Sequence, residues 1–152
     1  MKHFINLKIL NDNLVEYYSL PEYTTDGSAA MDLRAMVDEP ISLGANEVEL
    51  IPTGISIHIN NPNIVATIHP RSGLGHKKGL VLGNLTGVID SDYQGELMVS
   101  AWNRSGVGIS IKPGERIAQL MFLPVLQVEF NIVDSFDQTD RGSNGFGSSG
   151  VL

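Results

Sequence analysis

The segment GNLTGVIDSDYQGELMVSAWN, residues 83–103, decides the fold class of this chain. In its second half Leu97, Val99 and Ala101 alternate with Met98, Ser100 and Trp102, which is the period of a half-buried strand. A turn rich in Asp, Ser and Gly separates this run from the apolar residues before it. Two apolar runs that flank such a turn predict a β-hairpin.

The same period of two recurs along the chain. Residues 5–9 (INLKI) and 55–59 (ISIHI) alternate apolar and polar side chains. The runs are separated by sequences typical of turns: PTG at 52–54, NNPN at 60–63, SDYQG at 91–95 and KPGE at 112–115. This spacing predicts an all-β sandwich or barrel. The only helix signal is SGLGHKKG at 72–79, about two turns with Ser72 as the N-cap.

Composition limits the classes of function. The chain has 152 residues, enough for one domain with a sizeable core, and no cysteine that could form a disulfide or a thiolate metal site. A net charge of −7 argues against broad nucleic-acid binding, which needs a basic stripe. The apolar runs are too short to span a bilayer, so we expect no membrane partner and a cytoplasmic location.

Two segments carry groups suited to a phosphorylated ligand. In HPRSGLGHKKGL, residues 69–80, Arg71, Ser72 and Gly73 enter the predicted helix, whose free amides and dipole favour oligophosphate; a simple capped turn is the alternative. In the predicted hairpin, Asp90 ends the first strand, so its carboxylate can face a cleft. Asn84 offers a donor and an acceptor for a base edge. Taken singly, Asp90 and Asp92 are typical turn residues exposed to solvent, which is the alternative interpretation.

Other polar residues interrupt apolar stretches. Asp32 lies in GSAAMDLRA at 27–35, where it is either functional or an outward strand residue. Arg116 and Gln119 lie in GERIAQLMF at 114–122, where an interface hydrogen bond is the simplest use. The four histidines show no metal-ligand spacing, and no Ser is placed as a recognisable nucleophile.

Five segments in this order resemble the five motifs of the homotrimeric dUTPases (dUTP diphosphatases) of bacterial type. They are AAMDLRA at 29–35, PRSGLG at 70–75, GVIDSDYQGEL at 87–97, GERIAQL at 114–120 and RGSNGFGSSG at 141–150. The resemblance implies a distorted jelly-roll subunit with one short helix, three of which form three shared active sites. It also implies hydrolysis of dUTP to dUMP and pyrophosphate with Mg²⁺, which supplies dUMP for dTMP synthesis and keeps uracil out of DNA.

The resemblance assigns roles to individual residues. Asp90 corresponds to the acid that deprotonates the attacking water, and Tyr93 to the ring that leaves no room for a 2′-hydroxyl. Asp32 corresponds to an acid that reaches metal-bound water, the Mg²⁺ being held mainly by substrate phosphates. The uracil pocket corresponds to Asn84 and the main chain of Val88, Ile89 and Asp90, with Met98 across the hairpin. The phosphate contacts correspond to Arg71, Ser72 and Gly73, with Gln119 of a neighbouring segment.

The Gly-rich end resembles the family's mobile lid. We expect residues 1–137 to form the jelly-roll domain and residues 138–152 a flexible lid over a site built by other subunits. Arg141 would meet the γ-phosphate and Phe146 would stack on uracil. The family usually has Gly at the positions of Ala30 and Asn144; Asn tolerates positive φ better than most residues.

Three alternatives are distinguished by particular residues. A dCTP deaminase shares the fold but carries Glu immediately before the glycine of the turn, where this chain has Gln94, which cannot shuttle protons. A non-catalytic β-sandwich that binds nucleotides or proteins would keep Arg71 and Asn84 without needing Asp90 and the Arg/Phe tail together. A purely structural trimer would not need polar residues concentrated in five segments.

Overall fold

The computed structural model describes residues 3–143 and 145. In this part of the chain two four-stranded antiparallel sheets and one two-stranded sheet carry the fold. The strands are β1 (Asn6–Ile9), β2 (Met31–Arg34), β3 (Ile41–Leu43), β4 (Val48–His58), β5 (Ile64–Pro70), β6 (Leu80–Leu82), β7 (Gly87–Ile89), β8 (Glu96–Asn103), β9 (Ile109–Ile111) and β10 (Arg116–Pro124). The helices are α1 (Asn13–Tyr17) and α2 (Ser72–Lys77). The predicted all-β, jelly-roll-like class is confirmed.

The core lies between the two four-stranded sheets. One sheet has the strand order β1-β4-β8-β6 and the other β2-β10-β5-β7. Strand β8 shows why the alternation exists: every second residue, from Leu97 to Asn103, is buried, and the others are half-buried. Leu97 and Val99 of the first sheet pack in the same apolar cluster as Ile68 and Leu120 of the second. The period of two therefore sorts side chains between the core and the outer faces.

The predicted hairpin at residues 83–103 is wrong. Strand β7 pairs with β5, whereas β8 pairs with β4 and β6, so the two strands belong to different sheets. Residues 90–93 form a turn in which the Tyr93 amide donates to the Asp90 carbonyl at 3.2 Å. The chain then crosses from one sheet to the other. Alternation defines which face of a strand is buried but not its partner, so the same pattern suits a hairpin and a crossover.

The predicted turn PTG at 52–54 lies inside β4. The pairing of β4 with β8 shifts register between Pro52 and Ser56, and Gly54 takes a φ of +73° there. The Thr53 hydroxyl donates to the Leu97 carbonyl at 2.6 Å, and the Gly54 amide donates to Glu96 Oε1 at 2.8 Å. Residues 52–54 therefore form a β-bulge within β4, and the hydrogen bonds to β8 stabilise it.

Helices are short where they occur. The predicted helix at 72–79 is observed as α2, but Arg71, with extended φ and ψ of −82° and 131°, takes the N-cap position predicted for Ser72. Helix α1 has five residues and was not anticipated, because so short a helix shows no apolar period; the burial of Leu14 holds it on the core. Among the described residues, neither helix is long or apolar enough to cross a membrane.

A buried asparagine fixes the loops at one end of the sandwich. The side chain of Asn103 is fully buried, and its Nδ2 donates to the carbonyls of Leu43, Gly44 and Val107 at 2.8–3.1 Å. Its Oδ1 accepts from the amide and hydroxyl of Ser105. The two N–H donors of this amide are shared among the three carbonyls, and the side chain ties the β3–β4 loop to the β8–β9 loop.

Candidate active site

The sequence-predicted residues fall into two groups in the structure. The first group surrounds the edge strand β7 and the loops on either side of it. The second group gathers where β2, β10 and the end of β5 meet α2. Each group is built by different elements, and each is suited to a different part of a nucleotide.

Strand β7 presents a free backbone edge. It pairs only with β5 within its sheet, so the other side of the backbone at Val88 and Ile89 is not used by the ladder. The preceding loop is tightly turned: Leu85 has a φ of +63°, and the Thr86 amide donates to the Asn84 carbonyl at 2.7 Å. Backbone donors and acceptors on such an edge can pair with the edge of a pyrimidine.

Asn84 and Met98 lie on either side of this loop. The Gly83 amide donates to the Ser100 carbonyl at 2.8 Å, which aligns the start of the loop with β8. Because β6 and β8 are antiparallel, Asn84 continues toward Met98 along β8. The side chain of Asn84 is exposed and that of Met98 half-buried. The predicted uracil-pocket residues are therefore on neighbouring segments, although Met98 is not across a hairpin.

Asp90 directly follows β7 and is exposed at the start of the 90–93 turn. Tyr93 closes this turn, and its hydroxyl donates to the Glu96 carbonyl at 3.0 Å. The ring lies over Gly95, where a β-carbon would be 2.6 Å from the Tyr93 Cζ. The Tyr93 ring is therefore held near the exposed Asp90 carboxylate, and this position of the ring requires a glycine at residue 95.

The second group is an ion-pair cluster around Asp32. Its Oδ1 lies 2.7 Å from the Nε of Arg71, and its Oδ2 lies 3.2 Å from the Nη1 of Arg116. Arg71 Nη1 also donates to the Arg116 carbonyl at 3.2 Å. Two cations and one anion give the cluster a net positive charge on a chain of net charge −7. The cluster therefore supplies local positive potential for an anionic ligand.

Gln119 and the start of α2 complete this group. Gln119 pairs with Asp32 on β2 and with His69 on β5, and its Nε2 donates to the Pro70 carbonyl at 2.9 Å. Ser72 and Gly73 are exposed on the first turn of α2, and a β-carbon at Gly73 would meet nothing within 4 Å. The predicted phosphate-contacting residues are therefore adjacent.

The place of Arg116 in this cluster was not predicted from the sequence. Its position in the apolar run of β10 suggested an interface hydrogen bond, whereas its guanidinium pairs with Asp32 in the same chain. The sequence does contain a signal for this role, because Arg116 and Gln119 are the two polar residues that interrupt the same apolar run, and Gln119 is predicted to contact phosphate.

The two groups are far apart within one chain. Ile89 pairs with Ala66, so Asp90 lies level with the start of β5, whereas Arg71 follows its last residue, Pro70. Six residues separate these levels along β5, and a strand rises by about 3.3 Å per residue, which puts the two groups about 20 Å apart. The phosphorus atoms of a triphosphate are joined through single bridging oxygens, so one ligand cannot place its phosphates in both groups of one chain.

The C-terminal segment leaves the body of the protein. After β10 the described residues form neither strand nor helix, and Leu126, Val128, Phe130 and Ile132 are each more than 70% exposed. These side chains alternate with polar ones, which is the pattern of a strand with one face to bury. Arg141 is exposed in a turn in which the Gly142 amide donates to the Thr139 carbonyl at 3.1 Å. Phe146 and Asn144 lie outside the described residues.

No group of three or more His, Asp or Glu side chains that could hold a metal ion occurs within residues 3–143 and 145. Asp32, the predicted metal-water contact, has each of its carboxylate oxygens paired with an arginine.

Comparisons with known proteins place the chain in one family. The dUTPase family model matches residues 16–150. The deoxyuridine 5′-triphosphate nucleotidohydrolase of Tolumonas auensis is 61% identical over 146 residues, which cover 96% of this chain and 97% of the relative. The enzyme of the same name from Haemophilus ducreyi is 59% identical over 150 residues, 99% of this chain and 98% of the relative.

Solved structures agree with this assignment. A variant dUTPase of Staphylococcus bacteriophage 80alpha, solved with dUpNHpp, has a TM-score of 0.85 and 27% identity, and the match covers 99% of this chain and all of the phage chain. A variant dUTPase of phage phi11, whose structure concerns the coordination of a structural Mg(II) ion, shares the fold at a TM-score of 0.77 and 22% identity over 90% of this chain and all of that one. The chain described here is therefore a member of the dUTPase family.

Proposed function

We propose that this chain hydrolyses dUTP to dUMP and pyrophosphate. One observation supports this most: an exposed carboxylate, Asp90, directly follows an edge strand that can pair with a base, in a chain of the dUTPase family. Relatives near 60% identity over nearly the whole chain are deoxyuridine 5′-triphosphate nucleotidohydrolases. The near-complete coverage of both chains in these matches supports the same substrate and the same bond broken.

In the proposed reaction, Asp90 orients a water molecule and takes its proton as the oxygen attacks the α-phosphorus. The bond from that phosphorus to the bridging oxygen of the β-phosphate breaks, and pyrophosphate leaves with the bonding electron pair. The exposed position of Asp90 leaves its carboxylate open to solvent and substrate. Arg71, Gln119 and the start of α2 would hold the phosphates in line, which is the main catalytic requirement of phosphoryl transfer.

Base and sugar would be read by the β7 region. The backbone at Val88 and Ile89, with the Asn84 side chain, would pair with uracil, and Met98 would pack against it. A thymine methyl group would meet the same closely built loop. Tyr93, held over Gly95, would lie under the deoxyribose and leave no room for a 2′-hydroxyl. Buried polar groups that lose their partners reject the wrong base strongly.

We infer that three copies share three active sites. The separation of about 20 Å between Asp90 and Arg71 along β5 supports this, since one chain cannot bring both groups to one triphosphate. The exposed, strand-like residues 126–132 support it as well, because a neighbouring copy would cover them. Arg141 and Phe146 of the C-terminal segment would then close over a site built by other copies, with Arg141 at the γ-phosphate.

The residues fit a Mg²⁺ ion that arrives with the substrate. Magnesium prefers phosphate oxygens and water, so the substrate phosphates would hold it and Asp32 would contact a metal-bound water. Each Asp32 oxygen pairs with an arginine but keeps a second lone pair for that water. Bound there, Mg²⁺ would neutralise phosphate charge on an acidic protein. We expect no nucleic-acid or membrane partner and a cytoplasmic location.

The test is pyrophosphate release from each of the common dNTPs and from UTP, with Mg²⁺ and with EDTA. Rapid release from dUTP alone in Mg²⁺ is expected. Ammonia release from dCTP would instead support deamination, which Gln94 makes unfavourable because an amide cannot shuttle protons.

A further inference from the structure

We propose that Arg116 is a positioning residue: it holds the carboxylate of Asp32, which in turn aims the guanidinium of Arg71 at the phosphates. This inference rests on the proposed function of Arg71. The starting observation is that each oxygen of the Asp32 carboxylate pairs with a different arginine. Oδ1 lies 2.7 Å from Arg71, and Oδ2 lies 3.2 Å from Arg116.

Two of the N–H donors of Arg71 are used within the chain, and the others remain for a ligand. A guanidinium has five N–H donors. The Nε donor is paired with Asp32, and one donor of Nη1 goes to the Arg116 carbonyl at 3.2 Å. Two anchors on different nitrogens fix the plane of the group, and these two contacts leave three of its five donors for a ligand. A planar guanidinium fixed in this way can bind phosphate oxygens in a bidentate manner.

Asp32 can provide its anchor only if its own orientation is fixed. Its side chain is one-quarter exposed, and rotation about the terminal bond would exchange its oxygens. Arg116 binds the second oxygen and prevents this rotation. Its positive charge also offsets the carboxylate, so that Asp32 does not cancel the attraction of Arg71 for phosphate.

The backbone and the side chain of Arg116 act on Arg71 by separate routes. The carbonyl contact persists in any variant of residue 116, whereas the side chain acts only through Asp32. Substitution of the side chain therefore isolates the route through the carboxylate.

The experiment compares Arg116→Gln and Arg116→Lys with wild type in three measurements: kcat and KM for dUTP, the Kd of the analogue dUpNHpp by calorimetry, and the inhibition constant of 2′-deoxyuridine, which has no phosphate. Arg116→Gln should raise the KM and the dUpNHpp Kd about tenfold, the loss typical of one hydrogen bond to a charged group. The 2′-deoxyuridine constant should stay unchanged. Arg116→Lys should fall between the two. Lys8→Gln removes one positive charge from an exposed position on β1, in the other four-stranded sheet, and should match wild type.

A double-mutant cycle distinguishes positioning from direct contact. If Arg116 acts through Asp32, Asp32→Asn with Arg116→Gln should bind dUpNHpp no more weakly than Asp32→Asn alone. Multiplying losses would overturn the proposal, as would an equal loss of 2′-deoxyuridine binding. Wild-type protein that leaves dUTP intact would overturn the proposed function instead, whereas normal wild-type turnover with unaffected Arg116 variants would overturn this inference alone.

Discussion

Tyr93 lies so close over Gly95 that residue 95 has no space for a side chain. A β-carbon there would be 2.6 Å from the ring Cζ and 3.1 Å from Cε2. The hydroxyl of Tyr93 donates to the Glu96 carbonyl at 3.0 Å, so a hydrogen bond holds the ring in its place beside Gly95. The residue proposed to exclude the 2′-hydroxyl is therefore positioned by a glycine two residues later.

Gly95→Ala should weaken discrimination between dUTP and UTP. The new methyl group must displace the Tyr93 ring, which opens space beside the sugar. We expect the ratio of kcat/KM for dUTP to that for UTP to fall at least about tenfold, equivalent to about 1.4 kcal/mol of discrimination. Tyr93→Ala should admit UTP in the same way. Gly106→Ala, at a glycine with nothing within 4 Å of the added carbon, is the control. An unchanged ratio in Gly95→Ala would remove Tyr93 from sugar selection.

Asn103→Ala should destabilise the protein severely. It removes the amide donors shared by the carbonyls of Leu43 and Gly44, whereas the Val107 carbonyl keeps the Ser105 hydroxyl as a donor. Each buried carbonyl left without a donor costs about 1–3 kcal/mol, so the loss of two donors should cost about 2–6 kcal/mol. Thermal and urea unfolding measure this loss. Asn61→Ala, which removes an exposed contact to the Asn63 amide, should cost less than about 1 kcal/mol. Similar losses in both variants would contradict the role of Asn103.

Part of this architecture follows from the sequence and part does not. The burial of β8 follows its alternation residue by residue, because burial on one face is what produces a period of two. The partner of β7 does not follow from it: the same Asp- and Gly-rich connection suits a hairpin, and only the packing of two sheets sends β7 to β5. The bulge at Gly54 likewise has the composition of a turn, and its strand character depends on contacts with Leu97 and Glu96.

The candidate site shows the same division. Motif resemblance picks out Asp32, Arg71 and Gln119, which the structure brings together. It does not show that Asp32 pairs with two arginines, because that depends on the register of β2 against β10. Nor does local sequence show that Asp90 lies at the other end of β5, since strand order is a long-range property.

Two truncations should distinguish formation of the oligomer from closure of the C-terminal segment over the active site. Deletion from Arg141 onward should cripple turnover and leave the oligomer intact, because the apolar residues 126–132 remain. Deletion from Val125 onward should also remove the oligomer, because it takes away the exposed strand-like face. Size-exclusion chromatography with light scattering and a pyrophosphate assay measure the two effects. Full turnover without residues 141–152 would remove the lid from the mechanism, and a trimer that survives the longer deletion would contradict the role of residues 126–132.

Asp90→Asn should abolish catalysis with little effect on binding. The amide keeps the size of the side chain but cannot take a proton from water, so kcat should fall roughly 10²–10⁴-fold. The Kd of dUpNHpp, measured by calorimetry, should stay within a few-fold of wild type. Asp92→Asn, two residues further along the same turn, is the matched control and should retain turnover. Near-normal kcat in Asp90→Asn would exclude this residue as the base.

The most direct test combines two inactive proteins. Asp90→Asn and Arg71→Gln are each expected to be nearly inactive, and each chain of a mixture carries one defect. If Asp90 of one copy and Arg71 of another serve the same substrate, unfolding and refolding the two together should create intact sites in about one quarter of positions, with that share of wild-type dUTP turnover. If both residues serve a site within one chain, every site keeps a defect and no activity returns. Recovery to about one quarter is the result we expect, and a mixture as inactive as its components, despite demonstrated subunit exchange, would contradict a shared site.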